Sequence, residues 1–125
     1  MRLLLDTQVY LWYLGDSRKL SRKARVEIAG ADEVYVSAAS IWEAAIKASI
    51  GKLTAEVSDL VAGIRASGFA ELPISALHAA RVAALPHHHR DPFDRLLLAQ
   101  AIHEPLRLLT ADVMLKRYSD LIVLI

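Results

Sequence analysis

Apolar residues in this chain follow two rhythms: short unbroken runs, and longer stretches in which they recur every three or four positions. The runs Leu3 to Leu5, Val34 to Val36, Leu106 to Leu109 and Leu121 to Ile125 suit buried strands, since a strand covered on both faces needs no polar alternation. Phe69 to Ile74 is a weaker strand, interrupted by Pro73 and so expected at a sheet edge. Helical stretches lie between them. Thr7 to Leu14 carries Val9, Leu11, Trp12 and Leu14 and stops at Gly15-Asp16, and Ser21 opens a second helix that ends near Gly30. A third begins at Ser40 and fades near Gly51, a fourth spans Val57 to Ala66 with Gly68 as its stop, and a fifth runs from Ser75 to Leu85. The polar break from Pro86 to Pro92 precedes a long helix from Phe93 to about His103, which Pro105 prevents from continuing. Ala111 to Tyr118 forms a last short helix. Strands alternating with helices on this scale imply an α/β fold in three α/β/α layers around a mainly parallel five-stranded sheet.

At 125 residues the chain has room for one core, so residues 1–125 are expected to form a single domain. Lys plus Arg number 15 and Asp plus Glu 14, and a formal charge of +1 gives no bulk field toward nucleic acid. Any such case rests on local patches. Hydrophobic content of 54% and a mean hydropathy of +0.31 are high for this size, which predicts a homodimer or a dedicated protein partner. The absence of cysteine excludes disulfides and thiolate metal sites. The apolar stretch after Met1 is too short for a secretory signal and no window approaches a membrane span, so a cytoplasmic location without membrane association is expected.

Acidic residues occupy telling places in this pattern. Asp6 and Asp112 each follow a candidate buried strand, so in a parallel sheet both emerge at the carboxyl edge, where such folds bind ligands. Asp91 and Asp94 are three apart on one helix face, and Glu43 lies near the start of the third helix. Carboxylates gathered in a cleft are expected to hold a hard divalent cation or to raise one another's pKa. A plainer reading competes at each position. Ser40-Ile41-Trp42-Glu43 matches a capping box, Asp91-Pro92-Phe93-Asp94 reads as an N-cap followed by proline, and Asp6 or Thr7 and Thr110 could cap their helices. Taken singly each acid reads more readily as a cap; taken together their shared sheet edge favours a site.

Leu3-Leu4-Leu5-Asp6-Thr7, Ser37 to Glu43 with Lys47, the stretch His89-Arg90-Asp91-Pro92-Phe93-Asp94-Arg95-Leu96-Leu97, and Leu108-Leu109-Thr110-Ala111-Asp112 resemble, in order, the acidic segments of the PIN-domain family. Within it they are similar to the VapC-like ribonuclease toxins of prokaryotic toxin-antitoxin pairs. Gln8 stands where this subgroup often has His, a difference that bears on substrate positioning rather than metal binding. The resemblance implies a PIN-like domain whose catalytic and metal-binding residues are Asp6, Glu43, Asp94 and Asp112, with Asp91 as an additional acid. Thr7, Ser40 and Thr110 would support them. It further implies Mg²⁺, with Mn²⁺ as substitute, an RNA substrate cut to 5′-phosphate and 3′-hydroxyl ends, and a cognate antitoxin. Such chemistry makes no use of the ribose 2′-hydroxyl, so a DNA or flap nuclease of the same fold is the nearest alternative. A noncatalytic binding module whose acids only cap helices is the alternative from another class.

Other features weigh less. Arg90 and Arg95 are the substrate candidates nearest the acids, while Arg18, Lys19, Arg22, Lys23 and Arg25 read as a solvated face that could touch phosphates. His87, His88 and His89 suit a surface loop, since neighbours on an extended segment cannot all aim at one ion. His103 near a helix end needs no catalytic role. Lys47, one turn after Glu43, suits a helical ion pair. Trp12 and Trp42 are expected in the core, and Tyr10 and Tyr13 at a partner contact. A receiver-type phosphoacceptor domain wants a second acid beside the first, but Thr7 and Gln8 follow Asp6.

Overall fold

A computed structural model describes residues 1–88 and 90–125. Five strands, β1 (Arg2–Leu5), β2 (Glu33–Ser37), β3 (Ala70–Leu72), β4 (Arg107–Thr110) and β5 (Ile122–Leu124), pair in parallel in the order β3-β2-β1-β4-β5. Six α-helices accompany them: α1 (Thr7–Leu14), α2 (Arg22–Gly30), α3 (Ala38–Ser49), α4 (Val57–Ala66), α5 (Ala76–Arg81) and α6 (Pro92–His103). The fifth predicted helix is shorter than expected and ends in a 3₁₀ turn over Val82–Ala84, and the segment after β4 is a 3₁₀ turn over Val113–Arg117. β3, the strand flanked by Pro73, does lie at an edge.

The unbroken apolar runs have their reason in the layering. Leu4 points into one core with Leu97, Leu98 and Ala101 of α6, whereas Leu3 and Leu5 point into the other with Val9 and Tyr10 of α1 and Ala24 and Ile28 of α2. In β4, Leu108 and Leu109 divide the same way. A strand alternates faces residue by residue, so a sheet buried on both sides needs apolar residues at every position.

Two glycines do conformational work. Gly51 and Gly68 adopt positive φ of 76° and 79° just after α3 and α4, and at the latter the Phe69 amide returns to Ile64 O at 2.9 Å. Gly63 serves packing instead: a Cβ there would stand 2.9 Å from the Tyr10 hydroxyl and 3.0 Å from the Leu14 methyls. Tyr10 cannot retreat, being 1% exposed with its hydroxyl donating to Leu60 O at 2.6 Å. Burial also pushes its phenol up to about 12. Among the described residues, no helix is long and apolar enough to cross a membrane.

Tyr10 and Trp42 exchange the places expected of them. Tyr10 is core, while Trp42 is 56% exposed and packs edge-to-face with Phe93, ring centroids 4.9 Å apart. Trp12 and Tyr13 are partly buried against the α1 side, Tyr13 beside Phe69 at 5.0 Å.

Gly63→Ala tests this packing. Helix propensity alone favours alanine by roughly 1 kcal/mol, but overpacking against a pinned tyrosine costs about 1–3 kcal/mol, so a net loss is expected. Gly30→Ala, where a Cβ meets nothing within 4 Å, serves as control and should lose nothing in the same urea melts.

Candidate functional site

The chain runs from β1 outward through β2 to β3, then crosses back to β4 and β5 on the other side of β1. The strand order therefore reverses between β1 and β4, and in open parallel sheets the crevice above such a point takes the ligand. Asp6 leaves the carboxyl end of β1 and Asp112 lies two residues beyond β4. Above that crevice opens a cavity of about 340 Å³ lined by Asp6, Thr7, Gln8, Glu43, Lys47, Asp91, Asp94, Ala111 and Asp112. All five acids singled out in the sequence thus share one space.

Each acid is delivered by a specific local structure. Asp6 caps α1, its Oδ1 accepting from the Val9 amide at 2.8 Å, and its Oδ2 accepts from the Thr110 hydroxyl at 2.5 Å. Thr110 in turn accepts from the Asp112 amide at 3.0 Å, and Asp112 Oδ1 accepts from the Met114 amide at 2.9 Å. Asp91 caps α6 through the amides of Phe93 (2.9 Å) and Asp94 (3.2 Å), with Pro92 at the helix start. Glu43 is different. Its helix α3 begins earlier than expected, with Ser37 as N-cap, which leaves Ser40 inside the helix and buried. The capping box expected of Ser40 and Glu43 is therefore absent. Ser40 Oγ instead accepts from the Thr7 hydroxyl at 3.0 Å, and buried Glu43 pairs with Lys47 at 2.8 Å. Helix capping consequently gives no account of Glu43.

One acid and one base of this cavity are shifted from their ordinary ranges. Asp6 is 6% exposed, and burial lifts its carboxyl from 3.8 to about 6; its bonds from Thr110 and Val9 oppose the rise, and the nearby charges of Glu43 and Asp112 add to it. The bond to Glu43 does most to hold the Lys47 ammonium above its ordinary range. Partial burial works against it, and the fields of Glu43, Asp91 and Asp94 assist.

The arginines part company. Arg90 is exposed beside Asp91. Arg95 is 8% exposed, its guanidinium donating to Pro86 O (2.8 Å), Val82 O (3.1 Å) and Leu85 O (3.3 Å). It ties down the segment that leads to Asp91, and that burial removes it from the substrate candidates. His87 and His88 are exposed as a surface loop predicts, and His89 lies outside the described residues. Arg18, Lys19, Arg22, Lys23 and Arg25 are all exposed, with Arg25 paired to Asp16 at 3.0 Å.

A second cluster leaves no local mark in the sequence because 22 to 26 positions separate His78 from its other members, Gln100, His103 and Glu104. Potential ligand atoms of His78, His103 and Glu104 lie within 4.8 Å of one another. The hydrogen bonds oppose a metal there. His78 Nδ1 accepts from the Ser75 amide at 3.0 Å and faces the Gln100 amide nitrogen at 3.3 Å, so the ring proton belongs on Nε2, where it is donated to Glu104 at 2.6 Å. A ligating Nε2 would require the proton on the other nitrogen. The cluster is a buried polar tie between α5 and α6.

Comparison with known proteins agrees with this architecture. The PIN domain model matches residues 3–121. The chain belongs to the PIN-domain family. This PIN domain is 33% identical over 122 residues to Ribonuclease VapC22 of Mycobacterium tuberculosis (strain ATCC 25618 / H37Rv), across 92% of its own length and 90% of that relative's. Its fold matches VapBC2 from Rickettsia felis, solved bound to a promoter DNA fragment, at a TM-score of 0.73 and 18% identity over 100% of this chain and 98% of that one. A toxin-antitoxin complex from Klebsiella pneumoniae follows at 0.67 and 20% identity, covering 97% and 95% of the two chains.

Asp6 generates a pH prediction for the PIN domain without metal. Its folded pKa is raised, so its contribution to stability is fully present below about pH 3.8 and is lost as pH rises through about 6. The loss is at most about 3 kcal/mol. Asp6→Asn keeps an acceptor for Val9 and can donate to Thr110, so in chelator it should exceed wild-type stability near about pH 7, with the gap closing toward about pH 4. Urea melts at the two pH values measure this, and equal gaps at both would contradict it.

Proposed function

We propose that this PIN domain is a metal-dependent endoribonuclease that acts as a toxin and is restrained by a cognate antitoxin. The observation that carries the reading is the convergence of five carboxylates in one cavity at the sheet's switch point, with Asp6 pushed up by burial and by its acidic neighbours. Kinship with a protein named a ribonuclease supports the substrate class.

The donor set suits the ion proposed. Asp6, Glu43, Asp94 and Asp112 would hold it, with Asp91 as a further acid, and carboxylate oxygens without thiolate favour Mg²⁺ or Mn²⁺ over zinc. The chemistry such an ion supplies when bound is Lewis acidity toward water and a phosphate oxygen. The chain's own part is positioning. Thr110 and the α1 amide fix the two Asp6 oxygens, while the Thr7–Ser40 bond ties the start of α1 to α3. Exposed Arg90, next in sequence to Asp91, would meet a substrate phosphate, and the exposed basic face around Arg18, Lys19 and Arg22 would supply a longer-range field.

An antitoxin has a surface to cover. Trp42, Ile46 and Ile50 are 56%, 38% and 59% exposed and stand four residues apart, which makes an apolar stripe along α3. Trp42 abuts Phe93, the neighbour of Asp94, so a protein laid on the stripe would border the cavity. The solved relatives from R. felis and K. pneumoniae are themselves toxin-antitoxin structures. A second copy of this chain, as its apolar surplus suggests, is the other occupant to consider. Light scattering of the purified chain, alone and with its antitoxin, separates the two.

Matched RNA and DNA strands, with Mn²⁺ or with chelator, test the activity. RNA should be cut in Mn²⁺ only. Asp94→Asn and Asp6→Asn should lose on the order of 100-fold or more of that rate, and Thr110→Val, which releases Asp6, about 10- to 100-fold. Preference for DNA would favour the related nuclease reading. Cleavage undiminished in both acid variants would rule out the proposed site.

A further inference from the structure

Lys47 is the charged cavity residue that the proposed chemistry leaves without a task. Its ammonium donates to Glu43 Oε2 at 2.8 Å and lines the same wall as Asp6, Asp91, Asp94 and Asp112. Among the described residues lining the cavity it is the sole basic side chain, facing five carboxylates. An ordinary i,i+4 pair lies on a helix surface, where water screens both charges. Here the Glu43 side chain is only 9% exposed and the Lys47 side chain 44%. One partner is fixed inside the cavity, and the other stands at its mouth on a flexible four-carbon stem.

Two cations compete for this space. The Glu43 carboxylate that accepts from the ammonium is a group a divalent ion would also take as a ligand. An ammonium that stayed on Glu43 would then face the ion at close range beside a buried carboxylate, where like charges repel more strongly than in open water. The exposed stem gives Lys47 a way out to solvent, at the cost of its pair. Ion binding and the Glu43–Lys47 pair would therefore oppose each other.

We propose that Lys47 is a built-in counter-ion of the metal-free cleft, holding Glu43 and offsetting Asp91 and Asp94 until a divalent ion displaces it, so that this residue sets how tightly the ion binds. The inference rests on the cavity being an ion site. It makes Lys47 a positioning residue: it steadies the acids while the protein lacks metal, and lowers metal affinity in return.

Titration calorimetry with Mn²⁺ at low salt tests the exchange, together with thermal melts in chelator. Lys47→Met removes the charge and keeps the stem, while Lys47→Gln removes the charge and keeps a donor; one of them suffices if the other folds poorly. Each should bind Mn²⁺ roughly 5- to 100-fold tighter than wild type and melt lower in chelator. Lys47→Arg, which keeps the charge, should restore affinity to near wild type. Unchanged or weaker Mn²⁺ binding in both neutral variants would overturn the proposal, because a lysine that merely braces α3 or reaches for an RNA phosphate leaves ion affinity no higher. Failure of the ion site looks different: neither the wild type nor any variant then shows a stoichiometric Mn²⁺ site.

Discussion

The gathering of five carboxylates in one cavity is the constraint around which this molecule is arranged. The parallel sheet sends Asp6 and Asp112 to one crevice, and α3 and α6 bring Glu43, Asp91 and Asp94 to the same cavity. Left to themselves such groups would take up protons or push the elements apart. Several features offset the cost. The Thr110 hydroxyl and the Val9 amide both donate to Asp6, and Lys47 contributes a positive charge at the cavity wall. The starts of α1 and α6 also face it, since their capping residues line it, and helix N-termini carry partial positive charge.

Capping and ion binding first looked like rival explanations of the same acids. In the folded chain the two are compatible. Asp6, Asp91 and Asp112 each use a carboxylate oxygen to cap a helix or turn, and that bond fixes the orientation of the whole group at the cavity wall. A cap is thus a means of aiming a carboxylate, much as a hydrogen bond to a ligating histidine orients its ring. Glu43 lacks this device, and its orientation is held through Lys47.

Much of the architecture was legible in the chain because periodicity reports burial. The apolar runs Leu3–Leu5 and Leu108–Leu109 became inner strands covered on both faces, and the interrupted Phe69–Ile74 segment became an edge. The errors have equally specific causes. Ser37 and Ser40 are both good caps, and local sequence cannot rank them; the end of β2 does, by releasing the chain into α3 at Ala38. Tyr10 and Trp42 exchanged places because each sits among apolar neighbours. The hydroxyl of Tyr10 finds a buried acceptor in Leu60, fifty positions away, while the face of α3 that carries Trp42 is left uncovered. Arg95 sat beside the acids in sequence but is buried in space, where the carbonyl groups of Val82, Leu85 and Pro86 accept from its guanidinium.

Composition and spacing alone thus settled the layered parallel fold, the rough extent of its helices and strands, and which acids stand at the ends of elements, because these follow from burial periodicity and backbone stereochemistry along a local stretch. The meeting of Asp6 with Thr110, 104 positions away, and the pressure of Glu43 and Asp112 on the Asp6 proton depend on how the strands are ordered, and the buried ties of His78 and Arg95 on the packing of α5 and the segment after it against α6. Such effects depend on distances through space and on the exclusion of water, and neither quantity is written in any one segment of the chain.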